Sequence, residues 1–154
     1  METKILKEPN SLLHKKCEPV SNFEEAKQIA GELLVVMKSV SKWRNRWLGF
    51  AANQIGHSRQ IIGLRKGKNE YEILINPVLL EKRFPFPYLE KCYSVRGLYL
   101  VKRYLRAKVK YQDLEGNSCE IILKGPSAIY QEMDHIDGIL VSEIGFLLYN
   151  PKAL

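Results

Sequence analysis

Gln131-Glu132-Met133-Asp134-His135 is the stretch on which the reading of this chain turns. On a helix Gln131 and His135 stand one turn apart and leave the same face. The pattern is one residue short of His-Glu-x-x-His, in which two histidines grip a metal and the glutamate handles the proton of a water. Glu132 and His135 are in place, and Gln131 stands where the first histidine would be. Just upstream, Gly125-Pro126-Ser127 offers a helix start, because a proline's missing N–H is no loss in a first turn. Gly138 is placed to end the helix. The helix expected between them carries Ile129, Gln131, Glu132 and His135.

Further out, a first helix is expected from Ser21, whose spacing to Glu24 suits a capping box. Phe23, Ala26, Ala30, Leu33, Leu34 and Met37 follow at helical intervals to about Val40. Between the helices, residues 60–64, 71–76, 98–111 and 118–123 read as strands rich in Ile, Val, Leu and Tyr. Turn signals at Lys66-Gly67-Lys68-Asn69 and Glu115-Gly116-Asn117 separate them. This order implies an α+β domain, a mostly antiparallel sheet wrapped about the central helix that carries the metal-type motif. No repeat or linker divides residues 1–154, so one domain is expected.

The chain is 45% hydrophobic and 27% charged, an ordinary globular balance. No apolar run reaches the roughly 18 residues of a membrane span, and Met1 to Lys7 lacks the apolar core of a signal peptide. A cytoplasmic or organelle-matrix setting is expected. Cys17, Cys92 and Cys119 are too few and too scattered for a disulfide framework. The net charge of +7 includes a denser basic stretch, 102–110, that alternates with apolar residues like a half-exposed strand. No nucleic-acid motif accompanies it, which leaves a solvated basic face, compatible with weak attraction to ribosomal RNA.

Three separated segments together resemble the peptide deformylase family. Its members carry Gly-apolar-Gly-apolar-Ala-Ala-x-Gln, then Glu-Gly-Cys-apolar-Ser, then His-Glu-apolar-Asp-His. This chain has Trp47-Leu48-Gly49-Phe50-Ala51-Ala52-Asn53-Gln54, Glu90-Lys91-Cys92-Tyr93-Ser94 and Gln131-Glu132-Met133-Asp134-His135, in family order. Ile73-Leu74-Ile75-Asn76-Pro77, Val101-Lys102-Arg103, Asp113-Leu114-Glu115-Gly116 and Asp137-Gly138 also match. The resemblance implies Cys92, His135 and the residue at 131 as ligands of a divalent metal: iron, nickel, cobalt or zinc. It implies Glu132 as the group that takes the proton of the attacking water and passes it to the departing amine. Gln54 and the Tyr93 backbone N–H would steady the oxyanion. Leu48, Gly49, Lys91 and Ala128 would border the substrate. The family reaction removes the N-formyl group from the initiator methionine of new polypeptides. Taken singly, Cys92 reads as a small buried hydrophobe, His135 as a satisfied side chain, and Cys17 and Cys119 as structural.

The departures carry chemical meaning. An amide oxygen from Gln131 is a harder, weaker donor than imidazole for iron, nickel or zinc. Lys91 replaces a glycine beside the thiolate, adding bulk and a charge expected to lower the Cys92 thiol pKa. Trp47 replaces a glycine at the groove rim. Ser127 and Ala128 stand where the family offers larger apolar groups to methionine. The long C-terminal helix of many bacterial members is not expected here. The sequence thus favours impaired or lost deformylase activity. The alternatives are an inactive deformylase-fold peptide- or partner-binding module, a hydrolase of another substrate, or thiol chemistry at Cys92.

Overall fold

The computed structural model describes residues 4–40 and 48–151. Trp47, a position singled out above, lies outside the described residues. Helix α1, Phe23–Val40, buries Ala26, Ala30, Leu33 and Met37 of the expected stripe together with Ile29 and Val36, while Phe23 and Leu34 are only half-buried. Its cap is Asn22, not Ser21: Asn22 Oδ1 accepts from the N–H groups of Glu24 (3.0 Å) and Glu25 (3.2 Å).

Six antiparallel strands follow: β1 Gly49–Ala51, β2 Ile61–Gly67, β3 Glu70–Cys92, β4 Val95–Gln112, β5 Ser118–Lys124 and β6 Phe146–Tyr149. They join in the order β1-β2-β3-β4-β5, with β6 added on β4. Helix α2, Ile129–Ile136, and the single turn α3, Val141–Ile144, precede β6. α2 begins a turn later than expected from Pro126, and Gly138 (φ +75°) follows it. A β-carbon on Gly138 would stand 2.7 Å from the His14 carbonyl oxygen. Two constraints therefore ask for glycine there.

Two differences from the sequence reading concern strands. β3 does not stop at Asn76 but runs to Cys92 through Pro77, Pro85 and Pro87. Proline is tolerated because, past Asn76, β4 is its sole partner among the described strands, so the other side is a sheet edge. Breaks in register at 75/78 and 79/81, and positive φ at Asn76 and Phe84, take up the irregularity. β6 was not anticipated, since four consecutive apolar residues show no alternation. β4, in contrast, alternates as read: Val101, Arg103, Ala107 and Val109 are buried, while Lys102 and Lys110 are exposed.

The period of two along β1 to β3 gives the sheet two apolar faces. Phe50, Ile61 and Ile75 pack with α1. Ala51, Ile62, Leu64 and Leu74 pack with Ile129, Tyr130 and Ile136 of α2. The sheet thus wraps α2 as expected. Gly49 lies on the α2 face, where a β-carbon would sit 2.8 Å from Glu132 Cγ and 3.0 Å from Ala128 Cβ. Gly49→Ala should therefore overpack this contact and lower stability by about 1–3 kcal/mol. Denaturant unfolding checks this, and an unchanged midpoint would mean that α2 has room to move.

Candidate metal centre

The motif segments meet where β3 ends against α2. Cys92 closes β3 at the tight β3–β4 turn, and its Sγ accepts from the Ser94 N–H at 3.4 Å. Across from it, His135 in the last turn of α2 places Nε2 3.3 Å from Cys92 Sγ. Both are buried. A one-turn 3-10 helix, Ala52–Ile55, supplies the third side. Gln54 accepts from Ala51 N–H through Oε1 (2.9 Å), and its Nε2 donates to Ser94 Oγ (3.2 Å) and lies 3.8 Å from Cys92 Sγ. Asn53 donates through Nδ2 to the His135 carbonyl at 2.7 Å, fixing the end of α2 to this turn.

A buried ion network holds these pieces in place. Arg103 of β4 grips Glu90 of β3 with two bonds, Nε to Oε2 at 2.6 Å and an η nitrogen to Oε1 at 2.8 Å. Its other η nitrogen donates to Asp134 Oδ2 on α2 at 2.8 Å. The Glu90–Arg103 pairing was foreseeable from the matched segments. The Asp134 arm was not, although Asp134 lies inside the quoted motif. Asn53 and Ser94 were likewise passed over within motifs already quoted.

Electrostatics at the centre follow from burial. Both Glu132 carboxylate oxygens are buried without a hydrogen-bond partner among the described residues, as is His135 Nδ1. Burial, aided by the Glu90 and Asp134 carboxylates, holds the Glu132 pKa well above 4.5. Burial lowers His135 to about 4, with the Arg103 charge adding to it. It pushes the Cys92 thiol up to about 12, with Glu132 and Glu90 reinforcing the shift and the Ser94 N–H opposing it. That corrects the expectation of a thiol activated by Lys91. The Lys91 side chain is exposed, and only its backbone carbonyl touches the site.

Gln131 reaches Glu90 Oε1 (3.2 Å) and the Lys91 carbonyl oxygen (3.3 Å) through Nε2. Both partners can only accept, so the amide nitrogen must face them and the oxygen is the end left over. Tyr93 is 41% exposed, with its ring 5.2 Å from that of Phe50. Leu48 and Ala128 line one pocket beside the centre.

Residues 2–144 match the sequence model of the polypeptide deformylase family. The chain belongs to that family. A peptide deformylase of Chromobacterium violaceum is 32% identical over 145 residues, 90% of this chain and 84% of that protein. One of Desulfotalea psychrophila is 31% identical over 164 residues, covering 97% and 94%. Among solved structures, the Thermotoga maritima peptide deformylase superposes with a TM-score of 0.84 at 28% identity, over 94% of this chain and 97% of that one. An Acinetobacter baumannii peptide deformylase bound to Met-Ala-Ser gives 0.80 at 26% identity, over 94% and 99%.

The deformylase family is metal-dependent. Cys92 Sγ and His135 Nε2 converge, and a thiolate with an imidazole suits iron, nickel or zinc. The partnerless Glu132 oxygens mark a place where a cation and its water would be welcome. Among the described residues no three His, Cys, Asp or Glu side chains cluster to hold a metal. Cys92 and His135 thus fit two positions of a divalent cation's ligand set.

Two measurements probe this frame. Arg103→Ala strands the buried Glu90 carboxylate and the half-buried one of Asp134 and should cost about 3–5 kcal/mol; a loss under 1 kcal/mol on denaturant titration would contradict the bracing role. Glu132→Gln should stabilise chelator-treated protein at pH 7 by about 1–3 kcal/mol. The sign follows from the raised carboxyl pKa: native Glu132 keeps its proton where the unfolded group has lost it. Wild type therefore loses stability as pH rises from 4.5, and the variant's advantage shrinks at acid pH.

Proposed function

We propose that this centre receives the N-terminus of an N-formylated peptide and that its deformylase-type hydrolysis is impaired by weak metal binding. The observation that carries the reading is Gln131. Its amide nitrogen is bonded to Glu90 and Lys91, so it has at most a carbonyl oxygen to offer where the family places an imidazole. Cys92 and His135 would hold a divalent cation, with Gln131 or solvent as third donor. Such a cation, when bound, polarises the carbonyl and makes water nucleophilic.

The remaining chemistry belongs to this chain's own groups. Glu132, buried and partnerless, takes a proton from the attacking water and delivers it to the departing amine. Its raised proton affinity suits a group that must take a proton from water. Gln54 Nε2, beside Cys92, and the Tyr93 N–H are the proposed donors to the oxyanion. Leu48, Gly49 and Ala128 border the peptide, and Lys91 stands at its rim. Residues 1–154 are read as one domain, since every described strand joins one sheet.

A second reading, a peptide-binding module without hydrolysis, rests on the same glutamine. Elemental analysis and the Gln131→His variant separate the two. If wild type, purified without oxygen or chelator, holds near one metal per chain and cleaves formyl-methionyl peptides, the metal set is adequate as it stands. Under the impaired reading, wild type is substoichiometric and Gln131→His binds metal roughly 10- to 100-fold tighter, with hydrolysis restored. Tight metal without hydrolysis in the variant would support the binding module.

A further inference from the structure

The pocket of about 200 Å³ that opens beside Leu48 and Ala128 has a mixed lining, apolar walls with cationic side chains among them. Leu48, Ala128 and Leu123 form apolar walls, while Arg65, Lys66 and Lys124 also line it. No carboxylate is among its lining residues. The three cations come from separate strands: Arg65 and Lys66 from β2, Lys124 from the end of β5. Lys66 is partly neutralised by Glu72 at 3.0 Å, and Arg65 turns its Nε to the Gly67 carbonyl at 3.1 Å. Lys124 makes no ion pair among the described residues, and Arg106 stands opposite it on β4, adding to the local positive charge.

The pocket lies next to the centre, separated from it by one layer of residues. Ala128, at the start of α2, accepts a helical bond from Glu132 N–H at 3.1 Å. Gly49, next to Leu48, lies against both residues. A peptide whose N-terminal acyl carbonyl lies at Cys92 and Glu132 would direct its first side chain past Ala128 into this pocket. We propose that the pocket selects an acidic first residue, glutamate above methionine, with the methylenes on the Leu48, Leu123 and Ala128 walls and the carboxylate at Lys124. This rests on the reading that the centre receives a peptide N-terminus. An aliphatic stem with an anionic end matches apolar walls under a basic rim. A methionine would leave Lys124 without an ionic partner while gaining less apolar contact than a wholly apolar pocket gives.

Calorimetric binding of Glu-Ala-Ser, Gln-Ala-Ser, Met-Ala-Ser and Lys-Ala-Ser to the full chain tests this without any need for turnover. Glu-Ala-Ser should bind about three- to tenfold tighter than Gln-Ala-Ser and Met-Ala-Ser, and lose that margin at high salt. Lys124→Glu should abolish the preference and favour Lys-Ala-Ser. Because Lys124 is exposed, the variant should fold, and unchanged circular dichroism would show it. Met-Ala-Ser binding as well as Glu-Ala-Ser would overturn the acidic preference and leave the peptide-binding reading standing. No binding of any tripeptide would overturn both. A glutamate preference that survives Lys124→Glu would remove the charge from the explanation and overturn the assignment to this pocket.

Discussion

Everything at the centre hangs on one buried guanidinium. Arg103 ties Glu90 on β3 to Asp134 on α2 while itself belonging to β4. These three elements carry Cys92, His135 and Glu132, so the ion network sets their relative positions. Such a network is a poor source of net stability, because taking three charges out of water costs nearly what their attraction returns. What it supplies is position: planar, two-pronged bonding that tolerates one arrangement of the Cys92 turn against α2.

The second constraint is the closeness of α2 to β1. Gly49 lets Glu132 lie where any β-carbon would collide with it, and that contact excludes water from a carboxylate. Glu132 is left with no hydrogen-bond partner, a condition that lowers fold stability and raises its proton affinity together. The same burial suppresses ionisation of Cys92 and protonation of His135. The thiol and the imidazole stand 3.3 Å apart, and burial favours the neutral form of each.

Gln131 shows how a substitution can preserve one half of a residue's surroundings and degrade the other. Its NH₂ engages Glu90 and the Lys91 carbonyl, so the Cys92 turn stays braced. On the proposed reading, the coordinating end is what changes, from a nitrogen suited to iron or zinc to a harder oxygen. The frame itself is kept: the chain superposes on the Thermotoga maritima peptide deformylase over 94% of its length.

Much was legible in the sequence because it is local. The apolar stripe of α1, the alternation along β4 and the order of the three motifs are properties of neighbouring residues, and each appears in the fold. The Cys92, His135 and Glu132 cluster was also readable, because motif residues converge once the fold is known. What tertiary structure alone decided depends on distant partners. Prolines 77, 85 and 87 cannot donate to a ladder, yet β3 continues because one of its sides is open there. Lys91 promised an activated thiol by adjacency, but its side chain points to solvent and burial dominates. Arg65 and Lys124, 59 positions apart, line one pocket only because β2 and β5 both lead to the start of α2. Spacing along a chain encodes which face a side chain takes; which charges share a cavity, and how dry it is, exist only after the sheet has closed around its helix.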